Sequence, residues 1–320
     1  MSLDQEVLYS PSKWSKRFDQ MQILSNYCKF SKEVTENARK TLKCELDIPY
    51  GTTKGTKYDI YGTDLPKDSP IFIFIHGGYW QEGSKDVSAY AAPVFVNKGI
   101  KVITIGYDLC PNVKLRDIIS QIKTAIAHIL KSASSLKCRY DIINIYIIIL
   151  LIYKLQICIN WMDLYRNVWI SGHSAGAHLA SSILYDKLWL DEMTKHEYLY
   201  LLKGIVLISG IFNLEPLVNT SNNTALKLTK NEIDAYSFTT LNIKNNTSIQ
   251  GLKVIVTNGE CDSPVFINES RECAQKLITM VDNVQYILLR ENIDHFDIVE
   301  NLTNEEFILT KLILRNILYD

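Results

Sequence analysis

The segment Gly172-His173-Ser174-Ala175-Gly176 constrains this chain more than any other. It lies where two sequence patterns meet. Asn167-Val168-Trp169-Ile170-Ser171 reads as a short buried strand, and residues 177–188 read as a helix. A serine at such a junction, with a glycine two positions away on either side, fits a sharp turn that exposes its hydroxyl. Glycines there let backbone segments crowd together where a Cβ would collide. N–H groups opening the helix would face negative charge forming near Ser174.

A second device lies upstream. Pro70-Ile71-Phe72-Ile73-Phe74-Ile75 is an apolar run of strand length that leads into His76-Gly77-Gly78-Tyr79-Trp80. Read alone, His76-Gly77-Gly78 is a glycine turn after a buried strand. Read with the serine segment, it supplies an oxyanion hole from the N–H groups of Gly77, Gly78 and Ala175.

Two further loops follow the serine. Residues 252–257 read as a strand that enters Asn258-Gly259-Glu260-Cys261-Asp262-Ser263-Pro264. Asp262 is the preferred acid and Glu260 its competitor. Asp262 has a plainer alternative role as cap of the next helix. Residues 284–289 read as another strand, followed by Asp294-His295-Phe296. His295 follows a late strand and is the candidate base, taking the Ser174 proton while Asp262 orients its ring. His173 and His178 flank the serine but are badly directed for this task. His76 is expected to brace its own loop, and His128 and His196 are read as structural.

Strands expected near 57–61, 71–75, 101–105, 167–171, 204–208, 252–257 and 284–289 alternate with helical patterns. This predicts an α/β fold with a mostly parallel central sheet and helices on both faces. Ser174, His76, Asp262 and His295 all follow strand ends, where such sheets carry their sites. The 320 residues fit a single domain, and 47% apolar with 22% charged residues supports a large core. A net charge of −1 offers no basic stripe, so no nucleic-acid partner is expected. Seven cysteines without paired spacing suggest reduced thiols. No CxxC or metal-ligand cluster stands out, so neither a metal nor a cofactor is expected. Met1–Glu6 lacks a basic region and an apolar core, so no signal peptide is expected. The expected location is cytoplasmic, with the nucleus as an additional compartment, and no membrane partner is anticipated.

These residues and several further segments resemble the kynurenine formamidase (arylformamidase) family of α/β-hydrolases. The similar segments are Tyr9-Ser10-Pro11-Ser12-Lys13-Trp14, His76 to Gln81 with Gly83-Ser84-Lys85-Asp86, and Gly172 to Leu179. Ser209 to Leu217, Asp262-Ser263-Pro264 and Asp294 to Leu302 complete the set. The resemblance covers most of the chain. It implies a small-molecule substrate, N-formyl-L-kynurenine, hydrolysed to L-kynurenine and formate in tryptophan breakdown. It also implies the triad Ser174, Asp262 and His295, and points to a homodimer. A formamide needs little room on its acyl side, so the bulky part of the substrate is the aryl amine. Tyr79, Trp80 and Phe296 are therefore expected to line its pocket, with core packing as the alternative for Trp80. The competing function is a carboxylesterase of the lipase-like group, which shares both loop devices.

One segment departs from this pattern. Within residues 138–162, Ile142 to Tyr153 is almost wholly apolar, yet shorter than the about 20 residues a membrane-spanning helix needs. It reads as an atypical insertion on the sheet edge opposite the site. Its Ile, Tyr, Asn, Leu and Lys bias is that of translated AT-rich non-coding sequence, so a retained in-frame intron is one expectation. A genuine additional helix, strand or contact surface is the other.

Overall fold

The computed structural model describes residues 4–135, 168–241 and 249–319. The apolar segment within 138–162 lies outside the described residues. Among the described residues, eight strands form one sheet: β1 (Cys44–Pro49), β2 (Lys57–Tyr61), β3 (Ile71–Ile75), β4 (Lys101–Ile105), β5 (Val168–His173), β6 (Leu202–Ile208), β7 (Ile249–Gly259) and β8 (Val281–Leu289). Their order is β1-β2-β4-β3-β5-β6-β7-β8. β2 runs antiparallel to both β1 and β4, and every other pairing is parallel. The expected mostly parallel α/β sheet is present.

The strand sequences explain the layers. Successive side chains in a strand face opposite ways. In β3, Ile71, Ile73 and Ile75 join one apolar cluster, while Phe72 and Phe74 join the other. β5 and β6 divide in the same manner, with Ile170, Ile205 and Leu207 on the first face and Trp169, Val206 and Ile208 on the second. The helix Leu115–Ser135 covers the first face through Ile118, Ile119, Ile122, Ile126 and Ile129, a spacing that makes one helical stripe. The helix Ile308–Leu318 covers the second face through Leu309, Ile313, Leu314 and Ile317. Strands buried on both faces read as continuous apolar runs, which is why the central strands stand out in the sequence.

Two features differ from the sequence reading. The edge strand β1 has mostly exposed or half-exposed residues, and its register shifts between Glu45 and Ile48. Asp47 there adopts φ 59°. An irregular, exposed edge carries no apolar alternation to read. The helix after Ser174 is also shorter than expected, Ala175–Ser181 rather than 177–188. The Ser181 and Ser182 hydroxyls bond back to the carbonyls of His178 and Leu179, which competes with further helical bonding. The chain restarts as a second helix, Lys187–Lys195, capped by Asp186.

The N-terminal segment binds the loops at the carboxyl ends of the strands. The Tyr79 hydroxyl donates to the Tyr9 carbonyl, and the Ser263 hydroxyl donates to the Leu8 carbonyl. The Tyr9 hydroxyl donates to Glu269, whose other oxygen accepts the N–H groups of Phe212 (2.6 Å) and Asn213 (3.0 Å). Burial pushes the Glu269 carboxyl up to about 7, outweighing the opposing pull of these hydrogen bonds. The folded chain therefore holds a proton there that the unfolded chain, at its ordinary 4.5, has released. That stabilisation is complete below the unfolded value and is lost as pH rises toward 7. Glu269→Gln keeps an acceptor for the two N–H groups and does not titrate. Urea unfolding should show this variant gaining about 2 kcal/mol relative to the parent between pH 5 and pH 8. A difference that is constant with pH would contradict the assignment.

Candidate active site

The site begins at the end of β5. Ser174 has φ 56° and ψ −119°, outside the regions open to most side chains, and its N–H donates to the Ile208 carbonyl of β6 (2.8 Å). The turn closes only because both glycines lack side chains. A Cβ on Gly172 would lie 2.1 Å from the Gly176 carbonyl oxygen, and one on Gly176 would lie 2.1 Å from the Ile75 carbonyl oxygen. The second contact places β3 directly against the start of the helix. The loop after β3 therefore meets the serine: a Cβ on Gly77 would lie 3.0 Å from the Ser174 Cβ. Among the described residues, the N–H groups of Gly77, Gly78 and Ala175 donate to no protein acceptor.

The strands β7 and β8 bring Asp262 and His295 together. His295 Nδ1 lies 3.1 Å from each carboxylate oxygen of Asp262, and both residues are buried. A carboxylate can only accept, so the His295 Nδ1–H donates to Asp262. Asp262 also accepts the Ser263 N–H at 2.8 Å. Capping of the helix Pro264–Leu277 falls to the Ser263 hydroxyl, which leaves Asp262 for the imidazole. Glu260 points elsewhere and pairs with Arg290 (3.0 Å) and the Asn292 N–H (2.9 Å). Among the described residues no hydrogen bond joins the Ser174 hydroxyl to His295 Nε2. Such bonds commonly tighten only around bound substrate.

His173 joins the two halves. Its Nε2–H donates to the His295 carbonyl at 2.9 Å, and the two rings lie 4.6 Å apart. Burial, reinforced by His295, holds the His173 imidazole well below the ordinary range and hence neutral. His178 is likewise buried, donates to the Tyr236 carbonyl and is pushed down to about 4. His76 stacks on Tyr107 at 4.2 Å with Nδ1 toward the Gly77 carbonyl, and burial takes it to about 4. His128 meets the Tyr58 hydroxyl and His196 stacks on Tyr198, both away from these loops.

The three aromatic residues expected around the substrate separate. Tyr79 is half-buried beside the oxyanion loop, and burial with the neighbouring Asp262 charge raises its phenol well above the usual range. Trp80 is 0% exposed and packs edge-on against His178 at 5.0 Å. Phe296 is 6% exposed and packs on Tyr27 at 5.0 Å and on His295 at 5.5 Å. Core packing thus claims Trp80 and Phe296, and Tyr79 is only partly buried. Tyr79 and Trp80 both have positive φ, 50° and 58°, which is strained for large side chains. The Tyr79–Tyr9 bond and the burial of Trp80 hold that conformation.

Among the described residues no cluster of three His, Cys, Asp or Glu is arranged to hold a metal, and no helix is long and apolar enough to cross a membrane. A family model described as BD-FAE matches residues 58–148. The kynurenine formamidase of Danio rerio is 31% identical over 319 residues, spanning 99% of this chain and 97% of that protein. That of Salmo salar is 30% identical over 312 residues, spanning 97% and 94%. Among solved structures, a putative thioesterase from silicibacter sp. tm1040 superposes with a TM-score of 0.71 at 21% identity, covering 98% of this chain and 99% of that one. The carboxylesterase EstE1 superposes at 0.60 and 15% identity, covering 92% and 93%. The structural likenesses establish the α/β-hydrolase fold, and the near full-length sequence likenesses establish that this chain belongs to the kynurenine formamidase family.

Proposed function

We propose that this chain hydrolyses N-formyl-L-kynurenine to L-kynurenine and formate, with Ser174 as nucleophile, His295 as base and Asp262 as its orienting acid. The observation that carries this reading is the Asp262–His295 pair, buried at the sheet edge where Gly77 presses on the Ser174 elbow. The Ser174 oxygen attacks the formyl carbon while His295 Nε2 takes the hydroxyl proton. The carbonyl oxygen becomes an oxyanion facing the free N–H groups of Gly77, Gly78 and Ala175. His295 then passes its proton to the departing aryl amine, leaving a formyl ester on Ser174. Water, deprotonated by His295, attacks that ester, and formate leaves as the serine recovers its proton. The acyl part is only a formyl group, so the tight approach of Gly77 to Ser174 leaves room for it. Tyr79, only partly buried beside Gly78, is the aromatic side chain left to meet the aryl ring of the leaving amine.

Formate release from formylkynurenine by the purified chain is the direct test. Ser174→Ala should lower kcat on the order of 10⁴- to 10⁶-fold. Retention of activity by that variant would remove the mechanism altogether.

The two acids of the loop after β7 can be told apart. Asp262→Asn should cost about 10⁴-fold in kcat by stabilising the wrong imidazole tautomer. Glu260→Gln should stay within about twofold of the parent, because its partners Arg290 and Asn292 lie outside the proposed chemistry. Equal losses in both variants would contradict the assignment. Assayed in parallel, formylkynurenine should be turned over with higher kcat/KM than a p-nitrophenyl ester. The reverse order would favour the carboxylesterase reading.

A further inference from the structure

Arg17 is 277 residues from Asp294 in sequence and in direct contact with it in space. Its Nε and Nη2 form a fork on the Asp294 carboxylate, 2.9 Å to Oδ2 and 3.1 Å to Oδ1. Its Nη1 reaches Glu300 at 2.7 Å and Asp297 at 3.0 Å. The Ser15 hydroxyl adds a bond to Asp294 Oδ2 at 2.6 Å. Asp294 is fully buried, and its Oδ1 accepts the N–H groups of Phe296 and Asp297, each at 2.8 Å. This carboxylate therefore spans the peptide that carries His295. One oxygen grips the backbone just beyond the imidazole, and both oxygens are gripped by the N-terminal segment.

The chemistry of the contact is specific. A guanidinium fork matches a carboxylate in plane and spacing, whereas an ammonium is a point charge that leaves the carboxylate free to rotate. Three carboxylates meet this one guanidinium, so its loss would leave like charges facing each other on the turn that bears His295. The same N-terminal segment holds Ser263, next to Asp262, and Tyr79, next to Gly78. Displacements of about 1 Å in a catalytic group cost on the order of 100-fold in rate.

We propose that Arg17 is a positioning residue for His295: its fork on Asp294 sets the angle at which the imidazole meets Ser174. The proposal rests on the Ser174–His295 reading above. Arg17 touches no reacting atom, so its effect falls on kcat and leaves KM in place.

The test uses the full chain as parent, Arg17→Lys, Arg17→Ala and Ser174→Ala. It measures kcat and KM for formylkynurenine, the rate of Ser174 phosphonylation by an alkyl fluorophosphonate, and the thermal midpoint. In Arg17→Lys the expected result is a fall in kcat and in phosphonylation rate of about 10-fold or more, with KM within about twofold and a folded protein. In Arg17→Ala the fall should reach about 100-fold, with partial recovery in millimolar methylguanidinium and none in methylammonium. A folded Arg17→Lys with parental kcat and phosphonylation rate overturns the proposal, as does a loss confined to KM. Should Arg17→Ala fail to fold, Arg17→Lys decides alone. A parent that releases no formate, or a Ser174→Ala variant that is as active as the parent, marks failure of the site reading instead.

Discussion

Everything at this site follows from one close backbone crossing. Gly172 and Gly176 pass each other and the end of β3 at distances that admit no side chain. The same approach forces Ser174 into its left-handed conformation and presses the loop after β3 onto the serine. The Ser174 side chain and the loop after β3 therefore lie within a few ångströms of each other. Placing them on adjacent parallel strands fixes that separation through the sheet, because β3 and β5 pair in register from Ile71–Val168 to Ile75–Gly172. The strain at Ser174, Tyr79 and Trp80 is then concentrated where two buried strands and their clusters hold it.

How much of this was legible in the sequence depends on the range of the physics involved. The central strands were legible because burial on both faces demands unbroken runs such as Ile71 to Ile75. β1 was not, since an exposed, bulged edge makes no such demand. The elbow and the glycine loop were legible because each device is local. Ser174, Asp262 and His295 could be ordered along the chain by the strands they follow. That Asp262 meets the His295 ring while Glu260 turns to Arg290 and Asn292 is a matter of side-chain geometry that sequence spacing does not encode. Trp80 and Phe296 were aromatic residues in the right loops, and their chemistry suits an aryl ring as well as it suits a core. Only the packing on His178 and Tyr27 separates those roles. Arg17 carried no local sign at all, because its meaning lies in a partner 277 residues away.

The buried imidazoles divide by the kind of acceptor each one faces. His173 and His178 each give an N–H to a backbone carbonyl, and burial keeps both neutral. His76, stacked on Tyr107 with the Gly77 carbonyl beside it, is kept neutral as well. A carbonyl dipole offers too little to offset the cost of a buried cation. His295 alone among these four has a ring nitrogen on a carboxylate, 3.1 Å from each oxygen of Asp262. The neutral His173 then serves a different end: its bond to the His295 carbonyl ties that residue to β5, the strand that leads into Ser174. Arg17 grips the same short turn from the outer side through Asp294. His295 is thus held at its side chain by Asp262, at its own carbonyl by His173 and at the preceding residue by Arg17. These three anchors come from distant parts of the chain and meet on the one short turn that carries His295.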